Sequence, residues 1–168
     1  MALPARALIV IMGVSGCGKS TIGQALAEQN GWPFLEGDDF HPQQNIQKMA
    51  SGEALTDQDR AAWVEAIGQA VNTDRSPVLV LACSALTPFV QGHLNAVNRT
   101  TLYAHLKTDD VNMSDRLAAR DHFMPAALLP SQYAALSMPH GVYEFDASAP
   151  PDQLVSQMTD QLKAALPS

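Results

Sequence analysis

Apolar residues fall along this chain in short continuous runs separated by longer stretches of helical spacing. Ala7-Leu8-Ile9-Val10-Ile11-Met12 is the first run, and Ile22 to Glu28 follows at helical period. Pro33-Phe34-Leu35-Glu36 is a short second strand after a helix stop at Asn30-Gly31. Asp57-Gln58-Asp59-Arg60 opens a long helix with Ala61, Val64, Ile67 and Val71 on one face. Val78 to Cys83 is apolar throughout, the mark of a parallel strand buried on both faces. Thr101 to Leu106 is a fourth strand, and a helix through Met113, Leu117 and Ala118 follows it. Val142 to Asp146 is a fifth strand, and Pro150-Pro151-Asp152 caps a last helix through Leu154, Val155, Met158 and Leu162. Five strands alternating with helices predict a single three-layer α/β domain built on a parallel sheet. No repeat, low-complexity tract or linker interrupts it.

The turn after the first run carries the most chemistry. Gly13-Val14-Ser15-Gly16-Cys17-Gly18-Lys19-Ser20-Thr21 fits G-x-x-x-x-G-K-[ST], between a strand and a helix. Glycines let the backbone curl so that successive N–H groups converge on an anion, and the helix N-terminus adds its dipole. Lys19 is placed to reach the β- and γ-phosphates, and the Ser20 hydroxyl to hold Mg²⁺. The fold expected is therefore a P-loop NTPase fold binding ATP.

Composition narrows the partners. The 168 residues carry 46% hydrophobic and 16% charged residues, which suits one compact domain. A net charge of −7 argues against non-specific nucleic-acid binding. It does not argue against an anionic small molecule met by a few local cations. No apolar run nears the ~20 residues of a membrane span. The N-terminus runs straight into a strand and does not read as a signal peptide. Cys17 and Cys83 have neither metal nor disulfide spacing, which fits a reducing, cytoplasmic setting. Cys83 reads as a small buried hydrophobe.

Two stretches do not read as scaffold. The first, from about residue 37 to 60, leaves the carboxyl end of the second strand, where open α/β sheets place their ligands. It holds Asp38, Asp39, His41, Lys48 and Arg60. Beside a phosphate loop, a carboxylate here would orient an acceptor hydroxyl or bind metal-bound water. A solvated, capping turn is the competing reading of Asp38 and Asp39. The second stretch, about 116–137, begins Arg116-Leu117-Ala118-Ala119-Arg120-Asp121-His122-Phe123-Met124-Pro125. Two arginines four apart share a helix face and suit a flap that neutralises a transferring phosphoryl group. A solvated basic stripe is the alternative.

These segments resemble the gluconate kinase family. The resemblance runs through Glu36-Gly37-Asp38, His41-Pro42, Asn45 to Gly52, and Leu55-Thr56-Asp57-Gln58-Asp59-Arg60-Ala61-Ala62-Trp63. Cys83-Ser84-Ala85-Leu86, His122-Phe123 and Leu129-x-Ser131-Gln132 continue it. The resemblance implies a nucleoside-monophosphate-kinase-like fold with a lid. It implies transfer of the ATP γ-phosphoryl group to the 6-hydroxyl of D-gluconate, with Mg²⁺, by a homodimer. By position, Gly13 to Thr21 and Arg116 would bind the nucleotide. Ser20 would hold the metal, with Asp38 reaching it through water. Asp38 would orient or deprotonate the acceptor, and Lys19 and Arg120 would complete the catalytic set. Asp38, His41, Lys48, Arg60 and His122 would line the acceptor pocket.

The chain departs from the family pattern at three places. Thr87 onward replaces a lysine and further basic residues, Asp121 stands where the family has glycine, and Ser137 where it has glutamate. The missing cations lie at the ligand end of the third strand, so two alternatives stay open. One is a kinase for another small hydroxy acid or sugar; the other is a nucleotide-binding protein with little turnover.

Overall fold

The computed structural model describes residues 5–108 and 125–168. The helix expected through Met113, Leu117 and Ala118 lies outside the described residues. The strands are β1 (Ala7–Met12), β2 (Phe34–Glu36), β3 (Val78–Ala82), β4 (Thr100–Lys107) and β5 (Tyr143–Asp146). They form one sheet in the order β2-β3-β1-β4-β5, every neighbour parallel. The helices are α1 (Lys19–Asn30), α2 (Gln43–Ala50), α3 (Asp57–Thr73), α4 (Pro88–Asn95), α5 (Leu129–Ala135) and α6 (Pro151–Ala165). Single 3₁₀ turns span Gly37–Phe40 and Ala126–Leu128. The five strands and the long helices stand where the hydrophobic pattern puts them.

Alternation along β1 sorts the core. Ile9 and Ile11 face a layer with Leu26 of α1 and Leu154, Met158 and Leu162 of α6. Leu8, Val10 and Met12 face the opposite layer, with Trp63, Val64, Ile67 and Val71 of α3 and Val90 and Leu94 of α4. Every residue of β1 and β3 is buried, as a parallel sheet covered on both faces requires. Among the described residues no helix is long and apolar enough to cross a membrane.

At the amino ends of the strands, the Arg99 guanidinium gathers the backbone carbonyls of Ala7, Asp74 and Ser76 at 2.7–3.2 Å and the Asp74 carboxylate at 2.9 Å. This buried cation fastens the start of three strands to the end of α3. The carboxyl ends are left for the site. The chain crosses from β3 over β1 to β4, and β1 and β3 deliver their following loops to the same crevice.

Candidate active site

The loop after β1 is shaped by backbone angles that only glycine adopts easily. Gly13, Gly16 and Gly18 have φ of 149°, 86° and 100°. A Cβ on Gly13 would also stand 2.8 Å from Cys17 Sγ. Gly18 is the N-cap of α1, and no side chain caps that helix start; its first turn is Lys19, Ser20 and Thr21, without a carboxylate. The uncapped N–H groups and the dipole therefore suit an anion. Val14 and Cys17 are buried beneath the loop, Ser15 is half-buried on its cavity side, and Thr21 is exposed. The Lys19 ammonium donates to the Val14 carbonyl at 3.0 Å. The Ser20 hydroxyl donates to the Glu36 carboxylate at the end of β2.

Glu36 also accepts from Asp38 N–H at 3.3 Å, which starts the turn carrying Asp38. That turn lies tight on the sheet: a Cβ on Gly37 would stand 2.5 Å from the Ala82 carbonyl. The buried Trp63 of α3 locks it from above, donating Nε1–H to the Gly37 carbonyl at 2.8 Å. The His41 ring stacks on the Trp63 ring. The buried Asn45 amide stands 3.4 Å from His41 Nδ1 and donates to the Asp59 carbonyl at 2.9 Å. Asp59 closes a capping box with Thr56 at the start of α3. Its carboxyl is pulled down to about 2 by the hydrogen bond from Lys48 and by those from Thr56.

One cavity of about 280 Å³ joins these parts. Ser15 and Lys19 line it from the phosphate loop, Asp38 and His41 from the β2 excursion, and Arg60 and Trp63 from α3. Ser84, Leu86 and Thr87 line it after β3, and Ser131 and Gln132 from α5. Met49, Leu55, Val90 and Leu128 give it apolar walls. Lys19, Asp38, His41 and Arg60 are thus brought together from separate elements. Lys48 does not line the cavity: its ammonium pairs with Asp59, 2.6 Å away, and braces the capping box. Asp39 is exposed and does not line the cavity. Arg116, Arg120 and His122 lie outside the described residues.

Several lining or bracing residues stand in the sequence pattern without a site role assigned to them there. Glu36, Asn45, Trp63, Thr87 and Gln132 act across the fold, and only contact shows them. Thr87 marks the family departure, and it both lines the cavity and caps α4, its Oγ1 accepting from Val90 N–H at 3.4 Å. Cys83 is no nucleophile, because burial pushes its thiol up to about 12.

A phosphate loop and a facing carboxylate at the carboxyl end of a parallel sheet define a P-loop phosphotransferase for a small hydroxylated acceptor. A family model described as shikimate kinase matches residues 15–137. The gluconokinase of Gluconobacter oxydans (strain 621H) is 42% identical over 136 residues, 78% of this chain and 75% of that protein. The thermoresistant gluconokinase of Escherichia coli (strain K12) is 38% identical over 135 residues, covering 79% and 77%. The crystal structure of a gluconokinase from Sinorhizobium meliloti 1021 matches with a TM-score of 0.83 at 34% identity, over 98% of this chain and 95% of that one. The chain belongs to the gluconokinase family.

Proposed function

We propose that this protein transfers the γ-phosphoryl group of ATP to the 6-hydroxyl of D-gluconate, giving 6-phospho-D-gluconate and ADP. One observation supports the reading above the others. Lys19 of the phosphate loop and Asp38 of the acceptor side line a single cavity of about 280 Å³.

The chemistry follows from what each side chain can do. The P-loop N–H groups and Lys19 hold the β- and γ-phosphates and meet the charge that develops there. Asp38 accepts the hydrogen bond of the acceptor hydroxyl and takes its proton as the oxygen–phosphorus bond forms and the bond to ADP breaks. Arg60, whose Nη1 also donates to the Asp57 carboxylate at 3.1 Å, is a cation lining the cavity and suited to the gluconate carboxylate. His41, held flat by Trp63 with its Nδ1 at the Asn45 amide, lines the acceptor side of the cavity. Arg116, Arg120 and His122 belong to the proposed lid by resemblance alone.

Mg²⁺ fits the donors present. Ser20 and Glu36 put one hydroxyl and one carboxylate side by side next to the phosphate loop, the hard-oxygen set that Mg²⁺ takes alongside phosphates and water. When bound, the ion neutralises charge on the phosphoryl oxygens. Asp38 would reach it through water. A cytoplasmic enzyme working as a homodimer, without nucleic-acid or membrane partners, completes the reading.

The test is to follow ADP release from ATP with D-gluconate and to locate the phosphate in the product by NMR. Gluconate-dependent release with phosphorus coupled to the C6 protons supports it. ADP release that ignores gluconate sinks it.

A further inference from the structure

The carboxamide of Gln132 reaches from α5 onto the phosphate loop. Ser15 N–H donates to its Oε1 at 2.7 Å, and its Nε2 donates to Ser15 Oγ at 3.3 Å. A backbone N–H can meet only the oxygen end, so Ser15 fixes which way the amide faces. The helix carrying Gln132 is itself fastened. The hydroxyls of Tyr133 and Thr108 are 3.2 Å apart at the end of β4. Just beyond α5, Ser137 N–H donates to the Leu86 carbonyl at 2.8 Å and the Ser137 carbonyl accepts from Gln91 Nε2 at 2.7 Å. A side chain presented from so braced an element is built to sit where it sits.

Ser15 and Gln132 line the cavity that also holds Lys19 and Asp38. In a phosphoryl transfer, the phosphoryl group facing the acceptor is the terminal one. Phosphate-loop N–H groups serve phosphoryl oxygens, and here Ser15 N–H is taken up by a neutral carbonyl oxygen. A phosphoryl oxygen arriving at Ser15 competes for that donor and repels Oε1. A half-turn about the last side-chain bond, a soft torsion in glutamine, replaces the acceptor with two N–H donors.

We propose that Gln132 is a further catalytic residue, whose amide exchanges its bond to Ser15 for contact with the terminal phosphoryl group and so favours ATP over ADP. The proposal rests on the kinase reading above but not on the identity of the acceptor.

The experiment titrates wild type, Gln132→Ala and Gln132→Glu with ADP and with a non-hydrolysable ATP analogue, without acceptor, and then measures steady-state kinetics with gluconate. Gln132→Glu keeps an acceptor for Ser15 N–H, so the loop contact survives, but it sets a carboxylate against the phosphoryl group. The proposal expects the triphosphate Kd to rise on the order of tenfold in Gln132→Ala and further in Gln132→Glu. It expects the ADP Kd to stay within about twofold and the KM for gluconate to hold while kcat falls about tenfold or more. Equal weakening of both nucleotides, or a triphosphate Kd that does not move, overturns it. So does a change in gluconate KM with kcat intact. If wild type does not turn over gluconate at all, the nucleotide titrations still decide the role of Gln132, and the acceptor assignment alone falls.

Discussion

His41 lies flat against Trp63, the ring centroids 4.3 Å apart and the planes 7° from parallel. The indole does two things at once, since its N–H also holds the Gly37 carbonyl at 2.8 Å, one residue before Asp38. Trp63→Phe should keep a ring under His41 and lose the indole hydrogen bond to the Gly37 carbonyl. The expected cost is about 1–2 kcal/mol, or a fall in Tm of a few degrees for a domain of this size. Trp63→Leu removes the platform as well, and the KM for the acceptor should rise several-fold. Thermal melts and acceptor titrations of both variants check this; a Trp63→Leu variant with wild-type acceptor KM would deny the ring its role.

Asp38→Asn should lower kcat by about 10²-fold or more, because a positioned base contributes that much to proton transfer. ATP binding should hold, since Asp38 faces the acceptor. Direct nucleotide titration beside steady-state kinetics separates the two effects. An unchanged kcat would remove Asp38 from the chemistry.

Thr87 tests the departure from the family pattern. Its side chain caps α4 and lines the cavity, so Thr87→Lys exchanges a helix cap worth about 1 kcal/mol for a cation at the ligand end of β3. A pair with the acceptor carboxylate should gain on the order of 1 kcal/mol. The KM for gluconate should then fall about fivefold while Tm drops slightly. A flat KM for gluconate, with activity on a neutral polyol reduced, would assign the protein to another acceptor.

Asp74 and Arg99 predict a pH-dependent contribution to stability that catalysis does not share. Burial alone would raise the Asp74 carboxyl; hydrogen bonds from Ser76 and the Arg99 guanidinium outweigh it and hold the carboxyl below its ordinary value. The pair therefore stabilises fully above the ordinary carboxylate range, and its contribution disappears as pH falls through the lowered value. Asp74→Ala leaves the buried guanidinium without its anion and should cost about 2 kcal/mol near neutrality, roughly 4–8 °C in Tm. The melting temperatures of variant and wild type should converge in acid. Curves that stay parallel down to the acid limit would contradict the assignment.

What could be read from the sequence follows from how local each signal is. β1 and β3 are continuous apolar runs, and the phosphate loop is set by its own glycines, so both are legible without any partner. Asp38, His41 and Arg60 could be gathered because the excursion that bears them leaves a strand end. Lys48 carries the same signal as Arg60, and only the fold of α2 against α3 turns it to Asp59. α2 itself is mostly polar, with Ile46 and Met49 as its only large apolar residues, and α5 spans seven residues with a proline among them. Gln132 and Ser15 meet across 117 positions of chain, which no spacing rule reports.

The measurement that bears most directly on the proposed function is kcat/KM for ADP release across an acceptor panel: D-gluconate, shikimate, a neutral polyol and a nucleoside monophosphate. Gluconate should exceed every other acceptor by at least the hundredfold that a site holding a carboxylate and several hydroxyls can impose. Turnover of another acceptor with gluconate inert would contradict the proposed function.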